Sequence, residues 1–220
     1  MTSFYSNLQA AELFGRHRIG ATLMLEMSTE LQRYAKLRDK VNQEPDSTEP
    51  LRKQFVQLAR KQDEFLLDAT KVLSTLGSRD SDVLAKMVKK DVIGIFIQCC
   101  ERPSPEIQLP ALRFLHRLSF DPVNRQKFGE ASVVEKLARI LDHQHSRDLS
   151  EQGLKLLINL SLCPTLRKSM LKKGFSRRIV SLFDEENVSE LAARLLYFVS
   201  RDKRFDSAQT QFLFRSARLT

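Results

Sequence analysis

The amino-acid sequence predicts an all-α solenoid, in which helical units stack along the chain, and three observations predict it. The segment 112–122 (LRFLHRLSFDP) returns 42 residues later as 154–164 (LKLLINLSLCP), and a fixed period in this range is typical of stacked helical repeats. Apolar residues within each copy recur at i, i+3 and i+4, which indicates helix. Glycine and proline number only seven each and Trp is absent, which also favours helix.

The segment before the repeats divides into two parts. Residues 1–20 are predicted to form a partial N-terminal helical repeat. Residues 21–66 are predicted to form an inserted antiparallel helical hairpin, because two apolar seams flank the polar, proline-bearing stretch 42–50. The alternative is an ordinary pair of packed helices. The first seam contains Met24, Met27, Leu31, Tyr34 and Val41, and the second contains Leu51, Phe55, Leu58, Phe65, Ala69, Val72 and Leu76, with Gln62 as its polar member.

Residues 67–220 are predicted to contain about four armadillo-like repeats, of which the last is incomplete. Each copy begins with a long helix and continues through a turn into two shorter helices, and three helices in about 42 residues define this right-handed solenoid class. Prolines 103, 105 and 110 are predicted to separate the first two copies. The last copy loses the pattern after Phe205 and lacks a polar capping repeat, so we expect either a partner or further repeats to cover it. The copies occupy 70–100, 112–141, 154–183 and 191 onward.

The composition limits the environment and the partners. The formal net charge of +9 fits an acidic partner, such as nucleic acid, an anionic membrane or an acidic protein, but also fits a basic solvated surface. Few aromatic residues accompany the basic ones, which disfavours a stacking platform for single-stranded nucleic acid. Cys99, Cys100 and Cys163 cannot form a disulfide framework and suggest a reducing compartment. Neither a signal peptide nor a membrane span is expected.

One column of the repeat is basic in every copy, and it lies on the long helix. Side chains four residues further on share the same helix face. Stacked repeats would align this column into a ladder suited to an acidic or extended peptide. The alternative is that these side chains only cover apolar surface with their stems. The predicted partner-binding residues are the basic column itself, Lys71, Arg113, Lys155 and Arg194, and two residues four positions further on, Arg117 and Asn159.

The sequence gives little support for an enzymatic or metal-binding function. His143 and His145 lie near Asp142 and Asp148, but they fall in a predicted connection between repeats, where polar residues are expected. Neither a glycine-rich phosphate loop nor a nucleophile motif is present. We therefore predict a non-enzymatic protein with no catalytic residue, no cofactor and no metal site. Nuclear-import adaptors of the armadillo class share the helix order, but they clamp peptides with repeated Trp and Asn residues. This chain has no Trp, and only Asn159 fills an Asn position, so we do not expect it to bind import signals.

Several segments together resemble the armadillo region of kinesin-associated protein, the non-motor subunit of heterotrimeric kinesin-II. Their order and spacing agree from about residue 4 to 205, and the helical hairpin followed by these repeats is the more specific feature. The segments are 18–21 (RIGA), 51–53 (LRK), 115–119 (LHRLS), 133–141 (VVEKLARIL), 153–161 (GLKLLINLS), 166–170 (LRKSM) and 195–205 (LLYFVSRDKRF).

The resemblance implies a scaffold that binds the tails of two kinesin motor chains and links the motor to cargo, including intraflagellar transport particles. The implied partners are kinesin-II motor subunits and cargo adaptors, with no small-molecule substrate and no membrane insertion. The implied location is cytoplasmic and microtubule-associated, and a cilium or flagellum would be a more specific place. The alternative is a basic helical-repeat protein that binds nucleic acid or other acidic partners, which a steep salt dependence would reveal.

Overall fold

The computed structural model describes residues 19–43, 49–131, 133–142, 147–171, 175–185 and 188–201. Within these ranges the secondary structure is helical and contains no strand. The predicted partial repeat at 1–20 lies outside them, apart from residues 19 and 20. His143, His145 and the segment after Phe205 also lie outside them. The chain divides into two compact units, Met1–Cys99 and Cys100–Thr220.

Each unit is built from long and short helices. In the second unit a long helix is followed twice by two shorter ones. The first unit contains α1 (Ile19–Gln43), α2 (Glu49–Arg79) and α3 (Ser81–Lys89), and α4 (Val92–Cys100) ends at the boundary. The second contains α5 (Pro105–Leu118), α6 (Pro122–Lys127), α7 (Val133–Asp142), α8 (Arg147–Ser161), α9 (Pro164–Met170), α10 (Phe175–Ser181) and α11 (Ser189–Ser200), with short 3-10 helices at Phe128–Ala131 and Leu182–Asp184.

Helices α1 and α2 pack against each other in opposite directions. The rings of Tyr34 and Phe55 lie with centroids 5.2 Å apart near one end of the pair. At the other end, Gly20 lies beside the side chains of Leu73 and Leu76. α2 continues without a break past residue 66, where the sequence places the end of the hairpin. The separation of an inserted hairpin from the repeats stays a prediction.

Four of the five predicted seam residues of α1 are buried and Val41 is half-buried, whereas the buried line of α2 follows the predicted seam only in part. Met24, Met27, Leu31 and Tyr34 are buried on α1. On α2 the seam residues Phe55, Leu58, Phe65 and Val72 are only half-buried. An α-helix turns once in 3.6 residues, so a strict seven-residue repeat drifts by about 20° per heptad away from a straight contact line. The buried residues of α2 are Gln62, Leu66, Ala69, Thr70, Leu73, Leu76 and Gly77.

Gln62 is the polar member of the predicted seam, and it is buried between α1 and α2. Its Nε2 donates to the backbone oxygen of Glu30 at 2.9 Å and also to the Glu30 carboxylate. Buried polar groups need such partners, because an unsatisfied group costs about 1–3 kcal/mol. The bond therefore favours one register of the helix pair, as a polar residue does within a coiled-coil seam.

Asp91 connects α3 to α4 in a left-handed backbone conformation, with φ 62°. Its Oδ1 accepts a hydrogen bond from the backbone N–H of Gly94 at 3.0 Å, which caps the start of α4. A Cβ at Gly94 would lie 2.3 Å from the Asp91 carboxylate, so the glycine makes room for the cap. Asp tolerates the left-handed region better than most residues do, so one side chain serves both the turn and the cap.

We expect Asp91→Ala to lower the free energy of unfolding by about 2 kcal/mol. Loss of the cap costs about 1 kcal/mol, and the left-handed backbone costs alanine about 1 kcal/mol more. Asp91→Asn keeps both properties and should cost less than about 0.5 kcal/mol. Urea unfolding of the three proteins measures the difference, and equal stability of the two variants would contradict this role for Asp91.

Proline marks the beginning of three helices in the second unit. Pro105, Pro122 and Pro164 each occupy the first turn, where a missing N–H removes no helical bond. Asp121 also caps α6 by accepting a hydrogen bond from the N–H of Val123 at 2.8 Å. Pro110 was predicted to separate two repeats, but it lies inside α5. Its effect there is limited, because the carbonyl it leaves without a helical donor belongs to Glu106, an exposed residue in the first turn.

The core of the second unit is centred on α8, which packs against α5, α7, α9 and α11. Leu154, Leu156, Leu157 and Leu160 on this helix are all fully buried. Gly153 lets α7 approach closely, since a Cβ there would lie 3.3 Å from Leu141. Among the described residues, no helix is both long enough and apolar enough to span a bilayer.

Candidate partner-binding face

Three long helices of the second unit lie side by side, with α8 between α5 and α11. On each helix, residues at positions i, i+3, i+4 and i+7 share one face. None of these side chains is buried. We call this surface the tri-helical face. It consists of Arg113, His116, Arg117 and Phe120 on α5 and its end, Lys155, Ile158, Asn159 and Leu162 on α8 and its end, and Arg194, Tyr197, Phe198 and Arg201 on α11 and its end.

The first position on each helix forms a cation row across the tri-helical face. Arg113 is exposed on α5. Lys155 pairs with Glu151 at 2.5 Å, and Arg194 pairs with Glu190 at 3.0 Å, each within its own helix. The fourth predicted cation belongs to the first unit, where Lys71 pairs with Asp68 at 3.4 Å. The structure thus brings three of the four residues of the predicted basic column, Arg113, Lys155 and Arg194, onto adjacent helices.

Glu151 lies within reach of two members of the cation row. The hydrogen bond from Lys155 lowers the pKa of its carboxyl, and the charges of Lys155, Arg147 and Arg113 act in the same direction, although burial opposes them. Glu151 is therefore a carboxylate at neutral pH. Exposed ion pairs such as these contribute about 0–1 kcal/mol each, so a partner's carboxylate can replace Glu151 or Glu190 at little cost.

His116 lies between the cation row and the end of α5. Burial, together with the positive charge of Lys155, lowers the pKa of this imidazole below its ordinary value. It is therefore uncharged at neutral pH, and its ring contacts Phe120 with centroids 5.0 Å apart. The positive charge of the face comes from its arginine and lysine side chains.

Exposed apolar side chains occupy the other end of the tri-helical face on α5 and α8, where Phe120 is 63% exposed and Leu162 is 47% exposed. On α11 the exposed apolar residue is Tyr197, which is 58% exposed and lies one turn nearer the cation row, while Arg201 occupies the last position. Sequence reasoning missed this apolar row. The sequence does contain a sign of it, because Phe120 and Leu162 are apolar residues at the same repeat position, 42 residues apart. This pair was used only to define the length of the repeat. Several large exposed apolar groups on one face indicate an interaction site better than any of them does alone.

Two of the predicted site residues, Arg117 and Asn159, lie one turn beyond the cation row. Asn159 is half-buried, and its amide donates to Ser119 Oγ at 2.9 Å, which joins α8 to the end of α5. Its donor group thus already has a partner within the protein. Arg117 is exposed on the same face as Arg113. The structure therefore places Arg117 with the cations and Asn159 in the packing between helices.

A serine and an arginine form a joint at the end of α5, and the same joint is repeated at the end of α8. Arg125 Nη1 donates to the backbone oxygen of Ser119 at 3.1 Å, and Arg167 Nη1 donates to that of Ser161 at 3.2 Å. The last carbonyls of a helix have no helical donor, and a cation there also interacts favourably with the helix dipole. This role explains why arginine recurs at positions 125 and 167.

We expect Arg167→Ala to lower the free energy of unfolding by about 1 kcal/mol, the usual net contribution of such a hydrogen bond. Lys168 is the exposed neighbour on the same helix, so Lys168→Ala is the matched control and should cost less than about 0.5 kcal/mol. Chemical denaturation followed by circular dichroism measures both. Equal losses in the two variants would show that the joint adds nothing to stability.

The described residues offer no group of three His, Cys, Asp or Glu side chains placed to hold a metal ion. The tri-helical face contains cations and apolar groups at the surface of packed helices. Such an arrangement can bind a partner of opposite charge that also carries apolar side chains.

Comparisons with known proteins agree with this architecture. The family model described as kinesin-associated protein (KAP) matches residues 1–214. A designed armadillo repeat protein, solved in complex with the peptide (KR)4, superposes with a TM-score of 0.57 at 16% identity, covering 88% of this chain and 87% of that one. The crystal structure of an engineered protein gives a TM-score of 0.55 at 16% identity, covering 87% and 90%. A comparison with curated proteins finds no match.

Proposed function

Since the chain belongs to the kinesin-associated protein family, we propose that it is an adaptor that binds the tails of kinesin-II motor chains through the tri-helical face. The family and the armadillo-repeat fold are typical of non-enzymatic scaffold proteins. The proposal adds the partner, the surface and the role: attachment of motor chains to cargo for transport along microtubules.

The observation that carries the proposal is the combination of a cation row with an apolar row on the same three helices. Arg113, Lys155 and Arg194 supply the cations, and Phe120 and Leu162 supply exposed apolar surface. Interfaces obtain most of their affinity from a few desolvated apolar or aromatic contacts, while charges around them guide association. A motor tail with acidic and apolar residues in one segment would complement both rows.

The location follows from the same proposal. A kinesin-associated adaptor would act in the cytoplasm on microtubules, where motor chains carry cargo. Transport within a cilium or flagellum, with intraflagellar transport particles as cargo, is the more specific form of the proposal. Cargo adaptors would then use surfaces other than the one that the motor tail covers.

Capture of the full chain by immobilised kinesin-II motor tails tests the proposal. We expect capture at about 0.1 M salt, and much of it should remain at about 0.5 M salt, because screening weakens surface charge pairs more than buried apolar contacts. The alternative partner, nucleic acid, would show a steep loss with salt, since binding releases counterions from phosphates. Lack of capture by the motor tails at either salt concentration would contradict the proposal.

A further inference from the structure

A groove runs between α1 and α2 in the first unit, and the proposed function uses none of the residues that line it. Its cavity measures about 560 Å³. α1 lines it with Arg33, Lys36, Leu37 and Lys40. α2 lines it with Gln54, Gln57, Leu58 and Lys61. Each set has the spacing i, i+3, i+4, i+7, which puts its members on one helix face. We call this cavity the α1–α2 groove.

The α1–α2 groove has an apolar floor and a basic rim. Leu37 and Leu58 are half-buried, whereas Lys36, Lys40 and Lys61 are exposed. In the part of the chain that the structure describes, no acidic side chain lines the groove. At one end of the groove, the carboxylate of Glu30 lies 3.7 Å from the guanidinium of Arg33. The groove thus combines a basic rim with apolar surface.

The spacing of the cations matches that of side chains on a helix. Arg33, Lys36 and Lys40 follow two turns of α1, which extend about 10 Å. A second helix that lies along the groove has the same rise per residue, so its side chains are spaced like those of α1. Acidic residues at i, i+3 and i+7 of that helix would therefore each meet a cation, while an apolar residue between them would cover Leu37 and Leu58.

We propose that the α1–α2 groove binds an acidic amphipathic helix of a protein partner, which packs on α1 and α2 as a third helix. This proposal goes beyond the adaptor role, because the tri-helical face lies in the other unit. The charge of the rim calls for carboxylates, and the leucine floor calls for apolar side chains in the same segment. Helices that supply both on one side are the usual occupants of such grooves.

Two other anionic partners fit the groove less well. A nucleic-acid backbone would satisfy the lysines, but its phosphates would leave Leu37 and Leu58 in contact with water. An anionic bilayer is flat and would meet the rim without reaching the floor. Both are therefore outcomes that would overturn the proposal.

The test uses the full chain and a fluorescein-labelled synthetic peptide about three heptads long, in which each heptad has Glu at positions i and i+3 and Leu at i+4. Its acidic residues therefore recur at i, i+3 and i+7 on one helix face. Fluorescence anisotropy measures its dissociation constant. Lys61→Glu should weaken binding about tenfold, because it reverses one rim charge. Arg60→Glu is the matched control: it makes the same change in net charge at the adjacent, exposed position outside the groove, and it should change binding by less than about twofold.

A second peptide, in which Ser replaces each Leu, tests the apolar floor at constant charge. We expect it to bind at least about tenfold more weakly, because desolvated apolar contacts supply most of the affinity. Circular dichroism of each variant checks that the helices persist. Failure of the first peptide to bind, equal effects of Lys61→Glu and Arg60→Glu, or equal binding of the two peptides would overturn the proposal. So would tighter, Lys61-dependent binding of an oligonucleotide or of phosphatidylserine vesicles.

Discussion

Leu157→Ala is expected to lower the free energy of unfolding by about 2–5 kcal/mol, the range for leucine truncation in a packed core. Leu157 is 0% exposed and lies on α8, which contacts α5, α7, α9 and α11. In a stack of repeats each unit is stabilised mainly by its neighbours, so a cavity on the shared helix weakens the contacts on both sides. Thermal unfolding should show a melting temperature lower by about 5–15 °C.

Leu162→Ala provides the matched control on the same helix end. It removes the same atoms from a side chain that is 47% exposed, so it should cost less than about 0.5 kcal/mol. A loss below about 1 kcal/mol for Leu157→Ala would show that the surrounding helices relax to fill the cavity. Leu162→Ala has a second use, because it should weaken capture by motor tails without reducing stability.

The double variant Arg113→Glu/Lys155→Glu should weaken the binding of an acidic motor-tail segment by about 10-fold to 100-fold. Each reversal replaces an attraction by a repulsion at the cation row, which changes the interaction by about twice the 0–1 kcal/mol of an exposed ion pair. The expected loss for the two reversals together is therefore about 1.4–2.8 kcal/mol. Glu151 strengthens the effect, since both new carboxylates lie near it and leave the row negatively charged. Surface plasmon resonance with immobilised tails measures the change in affinity.

The fold should survive this double variant, because Lys155 and Glu151 are about one-third exposed and such pairs contribute about 0–1 kcal/mol. Lys86→Glu/Lys89→Glu is the control, as both lysines are exposed on α3 and the change in net charge is the same. If both double variants weaken binding by the same amount, only the overall charge of the protein matters. If neither double variant weakens binding, the cation row is not the site that binds the tail.

The repeat architecture was predictable from the sequence because its signals are local. The 42-residue shift, the apolar spacing and prolines at the starts of α6 and α9 each act within a few turns of helix. The three helices per repeat follow from them. The register of α2 was less predictable, since heptad steps fit its sequence while its buried line follows the 3.6-residue turn. Leu66 and Leu73 are buried for this reason, although neither belongs to the seam.

The candidate site was predictable only in its charges. Basic residues at one repeat position indicate a row whatever their partners are, so Arg113, Lys155 and Arg194 could be found by alignment alone. The hydrogen bond between Asn159 and Ser119 spans 40 residues and depends on how α8 packs on α5. The exposure of Phe120 and Leu162 likewise depends on where the next helix begins. Neither property is visible in the pattern of one helix.

The joint between Ser and Arg keeps a constant length in a chain whose repeats differ in length. The two residues are six positions apart in both described copies. The serines at the ends of α5, α8 and α11, however, are spaced by 42 and then 39 residues. Length is therefore gained or lost in the remainder of each repeat, never within the joint. A fluorescent tag or an extra loop inserted between α7 and α8 should therefore leave these hydrogen bonds intact. One residue added between Ser161 and Arg167 should disrupt the hydrogen bond between them.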